Sequence, residues 1–291
     1  MLVTDFEFAG QTASSWGLMP CTFNSSGTEI ISNGSRLEFV TAHPATSDTW
    51  HYVASKYTEV LTGTLQITKK NCSGIYTDSF FTLEELRAIT RWLNRKDGYY
   101  PLKLTIDNMP GYEDIVFNSY INVSVIELNG QIVGLELSIT TDKPYGYFAE
   151  RTITFELNES NNYRSVVFDP SDEIGKTYPV FYISFPNGQP ATDTQIDHYY
   201  QDGGVRQRME SAIIRTTEMY DWYNDGIVLD SQRHMIYFND GHYTPVHPMY
   251  FNFTWLSLSN SLESNMNAFA SNEVDLEITI KYSPIAKVGL I

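Results

Sequence analysis

The sequence has little cysteine: Cys21 and Cys72 are the two in 291 residues. They fit no paired metal spacing, and a disulfide framework needs more of them, so both are expected to be small buried side chains. Positive charge is scarce as well. Lys and Arg total 19 against 35 Asp and Glu, a net charge of −16. Such a chain repels phosphate backbones, and it lacks the basic stripe of a nucleic-acid reader. No apolar run approaches the roughly 20 residues of a membrane helix. The opening Met-Leu-Val-Thr-Asp-Phe-Glu-Phe has neither the positive charge nor the apolar core of a signal peptide. A soluble protein that accumulates in the cytoplasm where it is made is therefore expected.

Catalytic signatures are missing too. There is no Gly-x-Ser-x-Gly elbow, no Walker lysine after a glycine loop, and no Gly-x-Gly-x-x-Gly after a strand. Four of the six histidines, His198, His234, His242 and His247, fall within 50 residues. Pro245 interrupts the His242–His247 spacing, which denies it the helical pair of a zinc protease. These four are expected to be solvated or hydrogen-bonded loop residues. Glu84 and Glu85 are explained by the favourable field at a helix start. Glu273, Asp275 and Glu277 share one solvated strand face. No catalytic residue, cofactor or metal is expected.

What is present is apolar and aromatic. Hydrophobic residues make up 42% and aromatics 14%, with 20 Tyr and 16 Phe, enough for real cores and against disorder. The length suggests two domains. Period-two alternation dominates, the mark of half-buried antiparallel strands. Ile115, Phe117, Ile121, Val123 and Val125 share one face. So do Val133, Leu135, Leu137 and Ile139, and later Val274, Leu276, Ile278 and Ile280. Asn129-Gly130 invites a two-residue hairpin turn. A two-residue loop would pair Leu128 with Gln131 and oppose Val123 to Glu136 and Ile121 to Ser138. A three-residue loop, Leu128-Asn129-Gly130, is expected instead, pairing Val125 with Val133, Val123 with Leu135 and Ile121 with Leu137.

One helix is signalled, over about residues 82–94. Thr82 and Glu85 have capping-box spacing, and Phe81 and Leu86 stand at hydrophobic-staple positions. Leu83, Leu86, Ile89 and Leu93, with Trp92 beside them, make an apolar stripe at helical spacing. The Pro and Gly of Thr141-Asp142-Lys143-Pro144-Tyr145-Gly146 mark a boundary. The expected division is 1–146 and 147–291. Beyond it, strands are expected at 152–157, 163–168, 178–185, 212–216, 249–258 and 273–282. Turn residues separate them, as in an all-β sandwich.

Two aromatic clusters lie in polar, turn-prone sequence, Asp197-His198-Tyr199-Tyr200 and Met219-Tyr220-Asp221-Trp222-Tyr223. Tyr199, Tyr200, Trp222 and Tyr223 are candidates for glycan or partner contact, since such rings offer area at low entropy cost. The other reading is that they fold back over the sandwich or meet another subunit.

The order of these parts resembles the distal tail proteins of siphophages. In the first half the resemblance is carried by the capped helix Leu86-Arg87-Ala88-Ile89-Thr90-Arg91-Trp92-Leu93, the strand Leu102-Lys103-Leu104, the long hairpin and the Lys143-Pro144-Tyr145 exit. In the second half it is carried by Val228-Leu229-Asp230-Ser231 running into Met235-Ile236-Tyr237, by Phe253-Thr254-Trp255-Leu256, and by the closing Tyr282-Ser283-Pro284. The resemblance implies a mainly β fold with two β-sandwich-like domains, the first carrying the helix and the second galectin-like. It implies a virion structural protein at the tail tip, a baseplate hub. Domain 1–146 would be a belt that forms a homohexameric ring on the tail tube protein. Domain 147–291 would hold tail fibre or receptor-binding proteins for host attachment. DNA would pass through the ring without specific binding, no membrane would be involved, and synthesis would take place in the host bacterial cytoplasm. The alternative, carried by the aromatic clusters, is a carbohydrate-binding or adhesin module.

Overall fold

The computed structural model describes residues 3–23, 37–43, 48–70, 80–202, 205–219, 226–261 and 264–290. The chain divides into two compact units, Met1–Ala149 with Ala286–Ile291, and Glu150–Ile285.

The strands of the first unit are β1 (Val3–Phe8), β2 (Gln11–Thr12), β3 (Leu18–Cys21), β4 (Leu37–Ala42), β5 (His51–Tyr57), β6 (Thr62–Lys69), β7 (Tyr100–Ile106), β8 (Phe117–Leu128), β9 (Gln131–Thr141) and β10 (Gly146–Tyr147). Seven of them form one antiparallel sheet in the order β2-β1-β7-β8-β9-β6-β3. The inward alternation of Phe6, Phe8, Leu102, Leu104, Leu135 and Leu137 supplies its buried face. Against this core packs α1 (Leu83–Leu93).

Local chemistry dictates α1. Thr82 Oγ1 accepts the Glu85 N–H at 3.2 Å, and Glu85 Oε2 accepts the Thr82 N–H at 2.8 Å. That is the capping box read from the sequence. Lys69 Nζ lies 2.7 Å from Glu85. Burial works against the Glu85 charge, but the hydrogen bonds from Lys69 and Thr82 outweigh it and hold the carboxyl below its usual value. Ile89, Trp92 and Leu93 are buried. Trp92 stacks on Phe6 at 5.8 Å, and its indole N–H donates to Phe8 O at 3.0 Å. Leu83 departs from the expected stripe and is 72% exposed. It is the first helical residue, and at about 100° per residue it lies about 125° from the inward direction that Ile89, Trp92 and Leu93 set. Thr82→Ala should cost the first unit about 1 kcal/mol by orphaning N–H groups at the helix end. Overlapping urea denaturation curves for mutant and parent would show that the cap contributes nothing.

The β8–β9 hairpin corrects the expected loop. Leu128 pairs directly with Gln131. Asn129 and Gly130 form a two-residue turn with φ of 50° and 77°, the type I′ geometry. The apolar faces are nonetheless opposed: Ile121 pairs with Ile139, Val123 with Leu137 and Val125 with Leu135. A β-bulge between Ile126 and Glu127, with Val133 as the extra residue on β9, absorbs the offset. Turn chemistry and face matching conflict only if the ladder is unbroken.

The end of the chain belongs to the first unit, where a second domain running to residue 291 was expected. Ala286 and Leu290 are buried in the first core. The Tyr112 hydroxyl donates to Gly289 O at 2.5 Å, and burial pushes its pKa up to about 12.

The second unit is a sandwich of two antiparallel sheets. Its strands are β11 (Arg151–Leu157), β12 (Arg164–Phe168), β13 (Gly175–Thr177), β14 (Val180–Ser184), β15 (Thr194–Asp202), β16 (Val205–Ile214), β17 (Ile227–Asp230), β18 (Met235–Phe238), β19 (Leu258–Asn260), β20 (Met266–Ser271) and β21 (Leu276–Tyr282). One sheet runs β11-β21-β14-β17-β18, the other β12-β20-β15-β16, and β13 pairs with β19. Phe181, Ile183, Leu229, Ile278 and Ile280 from the first meet Val167, Ile196, Ile214 and Phe269 from the second in one core. The expected strand at 249–258 does not form. Pro248 starts a 3-10 turn, Pro248–Tyr250, and Phe253 has a φ of 58°, which breaks an extended run. The segment is instead held by Asn252, whose Oδ1 accepts the Ile213 N–H at 3.0 Å and whose Nδ2 donates to Ser211 O at 2.8 Å. The expected strand at 212–216 is the end of the longer β16.

Candidate functional site

Among the described residues, strands β4 and β5 pair only with each other. Their pairing sets Leu37, Phe39, Thr41, Tyr52, Ser55 and Tyr57 on one face. Phe39 meets Tyr52 edge-on at 6.0 Å. The other face carries the Glu38–Lys56 ion pair at 3.1 Å. Phe39 is 62% exposed, Tyr52 63% and Trp50 66%, and none of the three joins either core. A two-stranded ribbon in water is marginal by itself, and an apolar one with open edges is a template for further pairing or packing. The ribbon escaped the sequence reading because both of its faces carry apolar residues. Leu37 and Phe39 alternate with Glu38 and Val40, so no polar face marks a half-buried strand.

The second unit holds a buried polar network. His198 on β15 stands directly opposite Glu210 on β16, and its Nδ1 hydrogen-bonds Glu210 Oε2. Its Nε2 lies 2.8 Å from Asn267 Oδ1. Ser259 fixes that amide: its N–H donates to Oδ1 at 2.7 Å, and its carbonyl accepts from Nδ2 at 3.0 Å. An amide oxygen faces one ring nitrogen and a carboxylate the other, so both nitrogens donate. Glu210 Oε1 also accepts from Lys176 Nζ at 2.5 Å and Ser257 Oγ at 2.9 Å. Burial alone would raise the Glu210 carboxyl. The bonds from His198, Lys176 and Ser257 and the His198 charge overcome it and hold the pKa down at about 2. His198 is thus not a loop residue but a fully buried strand residue stacked on Phe269 at 5.0 Å. The alternation of Ile196, His198 and Tyr200 with Gln195, Asp197 and Tyr199 was the signal that could have placed it.

That alternation also separates two of the candidate contact residues. Tyr200 is buried, and its hydroxyl donates to Ser264 O at 2.8 Å. Tyr199, on the opposite face of the strand, donates to Asp197 Oδ2 at 3.2 Å. The two rings therefore offer no common platform. Trp222, Tyr223 and Cys72 lie outside the described residues. Cys21 is half-buried, and burial raises its thiol pKa.

Residues 1–143 match the phage tail protein N-terminal domain, and residues 145–282 match the phage tail C-terminal domain. No curated protein sequence matches. Among solved structures the chain is similar to the crystal structure of SPP1 Dit (gp 19.1), described as a paradigm of the hub adsorption apparatus in phages infecting Gram-positive bacteria. That likeness has a TM-score of 0.58 at 12% identity and covers 97% of this chain and 100% of that one. With one family domain over each half and a distal tail protein fold along nearly its whole length, the chain belongs to the phage tail proteins.

Proposed function

We propose that the protein is the distal hub of a non-contractile phage tail. Six first units form a ring on the tail tube, and the second units hold receptor-binding or fibre proteins. The β4–β5 ribbon carries this reading. Its exposed Phe39, Trp50 and Tyr52 need an apolar partner, and a neighbouring copy in a ring supplies one at fixed geometry. The charge suits the same role. A lumen that binds phosphate would hold the genome through counterion release, whereas a chain carrying −16 repels it. Like charge also opposes ring closure, so assembly should strengthen as salt shortens the Debye length to about 3 Å at 1 M.

Light scattering on the full chain tests both points. The full chain is used because Ala286 and Leu290 complete the first core. A discrete hexamer favoured by salt is expected. Phe39→Asp with Tyr52→Asp should reduce it to monomer with an unchanged melting temperature, since neither side chain joins a core. A parent that stays monomeric at every salt concentration, or a double mutant that still assembles, would refute the reading.

A further inference from the structure

The outer face of the five-stranded sheet carries an aromatic row. Strand register sets Thr154, Thr279, Tyr182, Val228 and Tyr237 side by side across β11, β21, β14, β17 and β18. Their chain neighbours Phe155, Ile278, Phe181, Leu229 and Phe238 pack in the second core, so the row faces away from it. Tyr182 and Tyr237 stand two strand spacings apart, about 9–10 Å. Val228, 1% exposed, is the floor between them. Tyr243 joins from the loop after β18. Its ring meets Tyr237 edge-on at 5.1 Å, and the residue is 68% exposed. Lys281 Nζ sits over the Tyr182 ring, 4.7 Å from its centre, and the Thr154 and Thr279 hydroxyls share a hydrogen bond of 2.8 Å.

The loop that presents Tyr243 is fixed by its own hydrogen bonds. Asp240 accepts the His242 N–H at 2.8 Å and the Thr244 hydroxyl, and the Phe238 N–H donates to Thr244 O at 2.8 Å. Tyr243 has a φ of 57°, a conformation that a bulky residue keeps only where its surroundings impose it. None of the three tyrosines joins a core. Their hydroxyls have no hydrogen-bond partner among the described residues, and none of them is sealed from water. The face therefore offers ring area set in advance and open hydroxyls beside it. A pyranose matches that combination, because its C–H faces lie against rings and its hydroxyls both donate and accept. Charge selects among glycans. The row itself carries no charge, in a chain of net −16. On one side of it Asp230 is paired with Arg233 at 3.8 Å, and on the other Glu156 stands opposite Glu277. With Lys281 as the one further cation, no positive surplus is there to hold an anionic glycan or a phosphate.

We propose that this face binds an uncharged glycan, whose pyranose rings stack on Tyr243 and Tyr237 and whose hydroxyls bond to those of Tyr182 and Thr279. One chain carries the complete platform, so the site does not depend on ring assembly, and its test stays readable if the chain proves monomeric. That test is an array of immobilised neutral hexose and N-acetylhexosamine oligosaccharides, with uronic-acid oligosaccharides as the charged arm, probed with the labelled full chain. Retention by neutral members is expected. Tyr243→Ala should weaken it about tenfold, the worth of one aromatic contact. Tyr182→Phe with Tyr237→Phe removes two hydroxyls and keeps both rings, and it should weaken retention as well. Each variant should melt with the parent, since none of the three side chains joins a core. Retention by charged members alone, or equal retention of the parent and Tyr243→Ala, overturns the site. A blank array overturns it too and leaves the face to a protein partner.

Discussion

Glu210→Gln should destabilise the second unit by about 3–5 kcal/mol, the usual cost of removing one partner from a buried ion pair. The side chain of His198 is fully buried and that of Glu210 nearly so. Three donors converge on the carboxylate, from strands β13 and β15 and from the segment entering β19. The amide of glutamine matches the shape but not the charge. Its nitrogen would also face a donor on His198, Lys176 or Ser257. Urea denaturation followed by hydrogen exchange, which reports each unit separately, would measure the loss. A cost below about 1 kcal/mol would mean that water reaches the pair and takes over its work.

The same group gives a pH dependence with a definite sign. The folded Glu210 carboxyl has a pKa of about 2 against an ordinary 4.5. A depressed folded pKa adds stability that is fully present above the ordinary value and is lost as pH falls toward the folded one. The second unit of the parent should therefore weaken between about pH 4.5 and pH 2. Glu210→Gln, already weaker, should show a shallower slope across that window, because this carboxyl no longer takes up a proton on unfolding. Parallel slopes would show that Glu210 titrates alike in the folded and unfolded chains.

What could be read from the sequence was whatever is decided within a few residues. The α1 cap depends on Thr82 and Glu85, three positions apart, and both hydrogen bonds form. Strand faces depend on alternation, and those of β9 and β21 hold. The hairpin register was lost because a bulge at Val133 lets an Asn-Gly turn and an apolar face coexist, and nothing local announces a bulge. Alternation with Ile196 and Tyr200 put His198 on the inward face, but Glu210 and Asn267, which satisfy its ring there, lie 12 and 69 positions away. The β4–β5 ribbon was invisible for a different reason. Pattern reading takes an apolar residue as buried, and both faces of this ribbon carry exposed apolar residues.

Gly226→Ala should cost the second unit about 2–5 kcal/mol. Gly226 has a φ of 89°, a left-handed conformation that costs an L-residue about 1–2 kcal/mol. The added methyl has no room. An ideal Cβ would lie 2.3 Å from Ile183 O, with Ile183 C and Ser184 Cα both at 3.2 Å. These are backbone atoms of β14, not a side-chain tip that can swing away. β14 is clamped on both sides: Ile183 pairs with Ile227 on β17 and with Ile278 on β21. Gly226 is tied as well, its carbonyl accepting the Asn239 N–H at 3.0 Å beside β18. Relief would have to come from moving β17, which opens one ladder or the other over a core that contains Phe181, Ile183 and Leu229. Overpacking of this kind typically costs about 1–3 kcal/mol beyond the dihedral strain. Hydrogen exchange should show the loss first in β14, β17 and β18, with the first unit unchanged. An Ala variant that melts with the parent would mean that β17 enters the sheet along a different path from the one described.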